Sequence, residues 1–298
     1  MSLQANNFDR YFTPVSIAPA GMEITHCQEI WTVGSCFSDE IGRRMAAGGF
    51  RVQPNPLGTL FNPASICRQL QRVISGEPYT ADDLIERDGL WHSLDFHTSF
   101  SASGPSQVLH NINGTIYRLH SALPSLERLI VTLGSARAFR LKSNGTIVAN
   151  CHKLPADNFE VTDLSEDEIY KMLSTTLKSM REAAPAMKVI VTVSPIRHKA
   201  YGLHTDKLSK ARLLLAADRL CAAGEAEYFP AYEIMTDELR DYRFYASDMI
   251  HPSEEAAEHI YRRFSETYFS ASTAMEAARR RKEHLRSLHR PHNPSTNS

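Results

Sequence analysis

In Trp31-Thr32-Val33-Gly34-Ser35-Cys36-Phe37-Ser38 a run suited to a buried strand meets a glycine, a serine and the start of a helix. Ile30 to Val33 are β-branched or aromatic, as a strand needs. Asp39, Glu40, Ile41 and Met45 then give an acidic first turn followed by an i, i+4 apolar pair. Gly48-Gly49 permits the left-handed turn that ends such a helix before a second strand-like run, Phe50-Arg51-Val52. A hydroxyl held at the first turn lies at a strand carboxyl end and a helix amino end, where unpaired N–H groups favour a developing negative charge. The dipole contributes only about 0.3–1 kcal/mol. Enzymes lower barriers by roughly 8–23 kcal/mol, so a catalytic Ser35 needs a base and further oxyanion donors; without them it is a helix-capping serine.

The chain of 298 residues, 42% hydrophobic, can bury a large core as one domain with an insertion. A formal charge of -1 gives no global reason to expect nucleic acid. Five cysteines form neither a CxxC pair nor a dense framework, so reduced thiols in a cytoplasmic protein are the simplest account. Asp9, Arg10 and Pro14 interrupt any signal-peptide core, and no run approaches the about 18 apolar residues of a spanning helix. Phe8, Tyr11 and Phe12 are expected to anchor an extended lead-in.

Beyond the first helix, Asn55-Pro56-Leu57-Gly58-Thr59-Leu60-Phe61-Asn62-Pro63 reads as a stiff loop able either to present the Gly58 N–H to a ligand or simply to turn. Ala64 to Ile74 is helical, with Ile66, Leu70 and Val73 on one face. Residues 77–125 read as a loop-rich insertion lying over the core; their histidines match no metal-ligand spacing. Leu129 to Leu133 and Met187 to Val193 are continuous apolar runs, the pattern of buried parallel strands. Asn144-Gly145 between two β-prone runs predicts a hairpin. Ser165 with Glu168 makes a capping box and Leu164 with Ile169 a staple. Lys210 to Ala223 is helical, with Leu213, Ala217 and Leu220 inward. The alternation predicts an α/β three-layer sandwich around a mostly parallel sheet, with its ligand site beyond the strand carboxyl ends. After residue 270 a basic helix with Arg279-Arg280-Arg281-Lys282 frays into a disordered Pro291 to Ser298.

Asp248-Met249-Ile250-His251-Pro252-Ser253 carries the second half of the chemistry. Pro252 and Ser253 open a last helix, so Asp248 and His251 share the turn before it. A spacing of three lets the carboxylate reach Nδ1–H of the imidazole and leaves Nε2 free to take a proton from a hydroxyl.

Taken together, Gly34-Ser35-Cys36-Phe37, Asn55-Pro56-Leu57-Gly58, Phe61-Asn62-Pro63, Asn150-Cys151-His152-Lys153, Ser194-Pro195 with Arg197-His198, Asp237 to Arg243 and His251-Pro252-Ser253 resemble the GSCFA-domain family over most of residues 30–265. That family is often found in bacteria and groups with the SGNH/GDSL-like hydrolases. Ser38 stands where the name motif has alanine. The resemblance implies a flavodoxin-like SGNH fold without cofactor or metal, in which Ser35 is the nucleophile, His251 the base and Asp248 its partner. Its oxyanion hole would be the N–H groups of Ser35 and Gly58 plus an asparagine. The expected Gly-x-Asn here reads Gly134-Ser135-Ala136, which leaves Asn150 as substitute and Asn62 as second choice. Cys36 is a competing nucleophile, expected to point away from the mouth. His152, Lys153, Arg197 and His198 are candidates for binding an anionic or sugar substrate. The implied activity is hydrolysis of a small-molecule or glycan acyl ester, O-acetyl carbohydrate included. The alternatives are glycan O-acyl transfer by the same triad and a non-catalytic carbohydrate-binding or scaffold domain.

Overall fold

The computed structural model describes residues 13–288, so the lead-in aromatics Phe8, Tyr11 and Phe12 and the segment Pro291 to Ser298 lie outside the described residues. The strands are β1 (Glu29–Gly34), β2 (Val52–Pro54), β3 (Leu84–Arg87), β4 (Leu90–Ser93), β5 (Leu126–Leu133), β6 (Arg137–Leu141), β7 (Ile147–Val148), β8 (Phe159–Asp163), β9 (Lys188–Val193) and β10 (Glu227–Tyr228). The helices are α1 (Cys36–Ala47), α2 (Pro63–Ser75), α3 (Pro105–Ala122), α4 (Glu166–Ala183), α5 (Leu203–Ala222), the short α6 (Ala231–Glu233), α7 (Glu254–Tyr268) and α8 (Ala271–Leu288).

Five strands form a central sheet in the order β10-β9-β5-β1-β2, and every neighbouring pair is parallel. This is the expected three-layer α/β architecture. Alternation along the strands sorts the two faces. Trp31, Val33, Leu129, Val131, Val189 and Val191 pack with residues of α2, α3, α4 and α5. Ile30, Ile130 and Ile190 pack with residues of α1, α7 and α8. Both faces are covered, which is why these strands read as unbroken apolar runs. Each fully buried aliphatic or aromatic side chain contributes about 1.5–3 kcal/mol, and the central strands supply them in register.

The hairpin at Asn144-Gly145 is present: β6 pairs antiparallel with β7, and β8 adds on the other side of β6. Ser165 and Glu168 make the capping box of α4, with Leu164 and Ile169 buried beside it. Residues 77–125 hold the β3–β4 hairpin and α3, whose Val108, Ile112, Ile116 and Leu119 join the core. In α8, Arg279 and Arg280 pair with Glu276, and Arg281 with Glu258 of α7, so the basic stretch is largely neutralised by its own chain. Among the described residues no helix is long and apolar enough to cross a membrane.

Two features of this topology position a site. The chain runs outward to opposite sides from β1 and β5, so the sheet's switch point falls between them. The ends of three strands are also level, with Gly34 opposite Thr132 and Thr132 opposite Thr192. The turns that follow β1, β5 and β9 therefore share one edge.

Candidate active site

At the end of β1 the backbone passes so close to β5 that only glycine fits. Gly34 has φ +131°, and a Cβ there would lie 2.1 Å from the Thr132 carbonyl oxygen. The Ser35 N–H donates to that oxygen at 3.1 Å. Asn55 locks the turn from the β2 side. Its Oδ1 accepts the Gly34 N–H at 2.8 Å, and its Nδ2 donates to the carbonyls of Gly34 and Ser35 at 3.2 Å and to Asp39 at 2.8 Å. This buried asparagine, itself at φ 39°, was quoted in the sequence only as part of a stiff loop.

Ser35 and Cys36 then part company. Ser35 is the N-cap of α1: its Oγ accepts the Phe37 N–H and donates to Ser194 Oγ at 3.0 Å, and the residue is 1% exposed. Cys36, the first residue of the helix, turns outward, and its Sγ lies 3.6 Å from His251 Nε2. Beside His251 Nε2, where a Ser35 hydroxyl was expected, the structure places Cys36 Sγ, while the Ser35 hydroxyl is bonded to Ser194. The reason is the cap itself, which folds the serine hydroxyl back onto the helix backbone while the next side chain faces the mouth. Behind the imidazole, Nδ1 donates to Asp248 Oδ2 at 2.6 Å. Asp248 Oδ1 also accepts the N–H groups of Ile250 and His251 at 2.8 and 3.0 Å. The imidazole hydrogen bond, helped by these two N–H groups, lowers the carboxyl to about 2. Asp248 and His251 therefore stand in the relation that their spacing predicts.

Burial, with the carboxylates of Asp39 and Glu40 close by, pushes the Cys36 thiol up to about 11; its own N–H at the helix start and the ammonium of Lys210 act the other way. At pH 8 a lone thiol of that pKa is about one part in a thousand thiolate, so a reactive sulfur there would need a base, and His251 Nε2 is the one within reach. Accordingly, alkylation of Cys36 by iodoacetamide in a His251→Ala protein is expected to climb steadily with pH toward 11. The unaltered protein should react well below that range. Coincident profiles, followed by mass spectrometry of the Cys36 peptide, would mean that the imidazole does not act on the sulfur.

The expected oxyanion donors are engaged elsewhere. The Ser35 N–H is taken by Thr132, and the Gly58 N–H completes a turn onto the Asn55 carbonyl at 2.8 Å. Asn62 caps α2, accepting the Ser65 N–H and donating to the Val148 carbonyl. Asn150 donates to Thr98 Oγ1, accepts the His152 N–H, and lines a different cavity together with Phe61, Phe139 and Phe159. The Cys36 N–H lies beside its own sulfur at the amino end of α1.

His152 is buried. Its ring is buried against His92, and Nε2 sits between the carbonyls of Ser93 and Phe96 at 2.9 and 3.1 Å, so it ties loops together; burial lowers its pKa. Lys153 is exposed at the same hairpin end. Arg197 and His198 do lie at the edge. The Arg197 N–H donates to the Ile250 carbonyl at 3.1 Å, inside the turn that bears Asp248 and His251. Burial, with Lys210 nearby, pushes His198 down to about 4.

Lys210 was absent from the expected site. It is 1% exposed, and its Nζ donates to the carbonyls of Gly134 and Ser194 at 2.7 and 2.9 Å, tying the turns after β5 and β9 together. The signal was there: Lys210 heads the inward stripe Leu213, Ala217 and Leu220 on α5.

Cys36 and His251 open onto a cleft of about 510 Å³ whose rim carries Asp39, Glu40, Arg43 and Glu254. Arg44, nearly buried, reaches from α1 to Glu40 and also to Glu254 and Glu258 of α7. The excess of carboxylates at this rim favours a neutral group over an anion beside the sulfur.

Two solved structures are similar to this chain at a distance. A putative GDSL-like lipase from Parabacteroides merdae is 12% identical, with 84% of this chain and 98% of that chain covered and a TM-score of 0.39. The acetyl xylan esterase Est2A from the rumen bacterium Butyrivibrio proteoclasticus is 10% identical, with 82% of this chain and 64% of that one covered and a TM-score of 0.35. No curated protein matches the chain. The model of the GSCFA family matches residues 29–264, the stretch that holds β1, both halves of the Cys36–His251 pair and the whole central sheet. The chain belongs to the GSCFA family.

Proposed function

We propose that this chain is an acyl-ester hydrolase whose attacking atom is the Cys36 sulfur. The observation that carries the reading is the line Cys36 Sγ, His251 Nε2 at 3.6 Å, His251 Nδ1 and Asp248 Oδ2 at 2.6 Å. His251 Nε2 takes the thiol proton as sulfur adds to the ester carbonyl, and Asp248 holds the tautomer and stabilises the imidazolium. The carbonyl oxygen, now an oxyanion, lies toward the Cys36 N–H and the amino end of α1. Collapse returns the proton to the leaving alcohol and leaves a thioester on Cys36. Water deprotonated by His251 then releases the acid and restores the thiol. Base catalysis of this kind is worth about 10²–10⁴-fold, and one oxyanion donor about 2.7–4 kcal/mol. Holding the ester at the sulfur supplies much of the remainder.

Water, rather than a sugar hydroxyl, is the favoured acceptor because the His251 side chain is 48% exposed at the mouth of an open cleft. A short neutral ester, such as an acetyl group on a carbohydrate, suits the cleft's size and its carboxylate rim. The test is parallel labelling with iodoacetamide and with a fluorophosphonate while p-nitrophenyl acetate hydrolysis is followed. Activity should fall in step with alkylation of Cys36, and the fluorophosphonate should leave Ser35 unmodified. Full activity in protein alkylated at Cys36 would end the proposal.

A further inference from the structure

On the far side of the catalytic turn lies a second cavity, of about 270 Å³, lined by Arg197, Asp206, Lys207, Tyr232, Tyr242 and Tyr245 among others. It is separated from the Cys36 cleft by the thickness of two segments. Ile196 lines the cleft and its neighbour Arg197 this cavity. Likewise Pro252 lines the cleft, while Tyr245, its partner in an antiparallel bridge, lines the cavity.

The charges around this cavity do not cancel. Asp206 is buried, accepts the His198 N–H, and is offset by the buried ammonium of Lys210. Arg240 lies 3.8 Å from Asp237, and Asp241 lies 3.7 Å from Arg243. That leaves Arg197 and Lys207, neither of which has a carboxylate within ion-pair distance among the described residues. The Arg197 guanidinium has only the Met249 carbonyl, at 3.5 Å, and the face of Tyr245, 5.0 Å from the ring centre. Lys207 Nζ donates to the Tyr232 hydroxyl at 2.7 Å. An ammonium carries three donors and a guanidinium five, so both cations have hydrogens to spare. Around them stand three tyrosine rings, which offer flat faces and hydroxyls.

We propose that this cavity is a binding site for an oxyanion, carboxylate or phosphate, carried on a sugar ring. Arg197 and Lys207 take the anion, and the tyrosines pack against the ring. The charge order across the turn is then opposite on its two sides: carboxylates border the sulfur, and free cations border this cavity. An anion is directed here and kept from the cleft.

The test is calorimetric titration of Cys36→Ala protein, in which binding is read without turnover, using D-glucuronate, D-glucose 6-phosphate and neutral D-glucose. At least one of the two anionic sugars is expected to bind at least about tenfold more tightly than glucose, and which one does so separates carboxylate from phosphate. Lys207→Met should weaken that binding by at least about tenfold, the equivalent of losing one charge-assisted hydrogen bond. Lys207 is exposed and bonded only to a tyrosine hydroxyl, so this variant is expected to fold; Arg197→Met, which also touches the catalytic turn, serves as the second probe. Failure of both anionic sugars to bind, equal binding of glucose, or unchanged affinity in Lys207→Met and Arg197→Met would overturn the assignment. None of these outcomes bears on whether Cys36 is the nucleophile.

Discussion

Alanine at Cys36 is expected to reduce p-nitrophenyl acetate turnover by on the order of 10⁴-fold or more, the scale seen when a covalent nucleophile is removed. The fold should survive, since the sulfur lies at the mouth and its loss opens no core cavity. Alanine at Ser35, one residue earlier, is expected to act on stability instead. It removes an N-cap, worth about 0.5–2 kcal/mol, and frees Ser194 Oγ from its partner, yet leaves the Cys36–His251–Asp248 line in place. The comparison requires turnover and melting temperature for both variants. A Ser35→Ala protein as inactive as Cys36→Ala, with an unchanged melt, would return the attack to the hydroxyl.

The largest effect on stability is expected at Lys210. Its ammonium is buried, satisfies the carbonyls of Gly134 and Ser194, and faces Asp206. Lys210→Met leaves the two carbonyls unpaired and strands a buried carboxylate, a combination that costs about 3–5 kcal/mol. Urea unfolding should show this as a lower midpoint with a similar slope. The pH dependence has a definite sign. Burial holds Lys210 at about 8 against an ordinary 10.5. Between those values the unfolded chain binds more protons than the folded one, so this group makes the protein more stable as pH rises through that window. The methionine variant should lack that rise. A midpoint within experimental scatter of the unaltered protein would show that the two strand ends do not depend on the ammonium.

The sequence announces the sheet because both of its faces are covered, so that Leu129 to Leu133 and Met187 to Val193 needed no polar alternation. Helix α4 was legible down to its cap because Ser165 and Glu168 act within one turn. The Asp248–His251 relation was legible for the same reason: three residues in one loop fix it locally. Which of Ser35 and Cys36 lies beside His251 was not. It depends on which of two adjacent side chains folds back onto the helix, and Ser194, 159 residues away, takes part in that decision. The partners of the candidate oxyanion donors were hidden for a related reason, since motif spacing does not say whether an N–H such as that of Gly58 already has a partner inside its own turn. Lys210 was hidden by its type, since a charged residue at the head of an apolar stripe does not by itself announce burial.

The guanidinium of Arg44 has a further bearing on the Cys36–His251 pair. It binds α1, which begins at the sulfur, to α7, which begins three residues after the imidazole. The gap between the sulfur and the imidazole therefore follows from how these two helices are held together. Such a pair is set once, when the chain folds, and needs no substrate to assemble it. Warming should then dull the chemistry only when the brace between the helices gives way, so that inactivation and collapse of the fold arrive together.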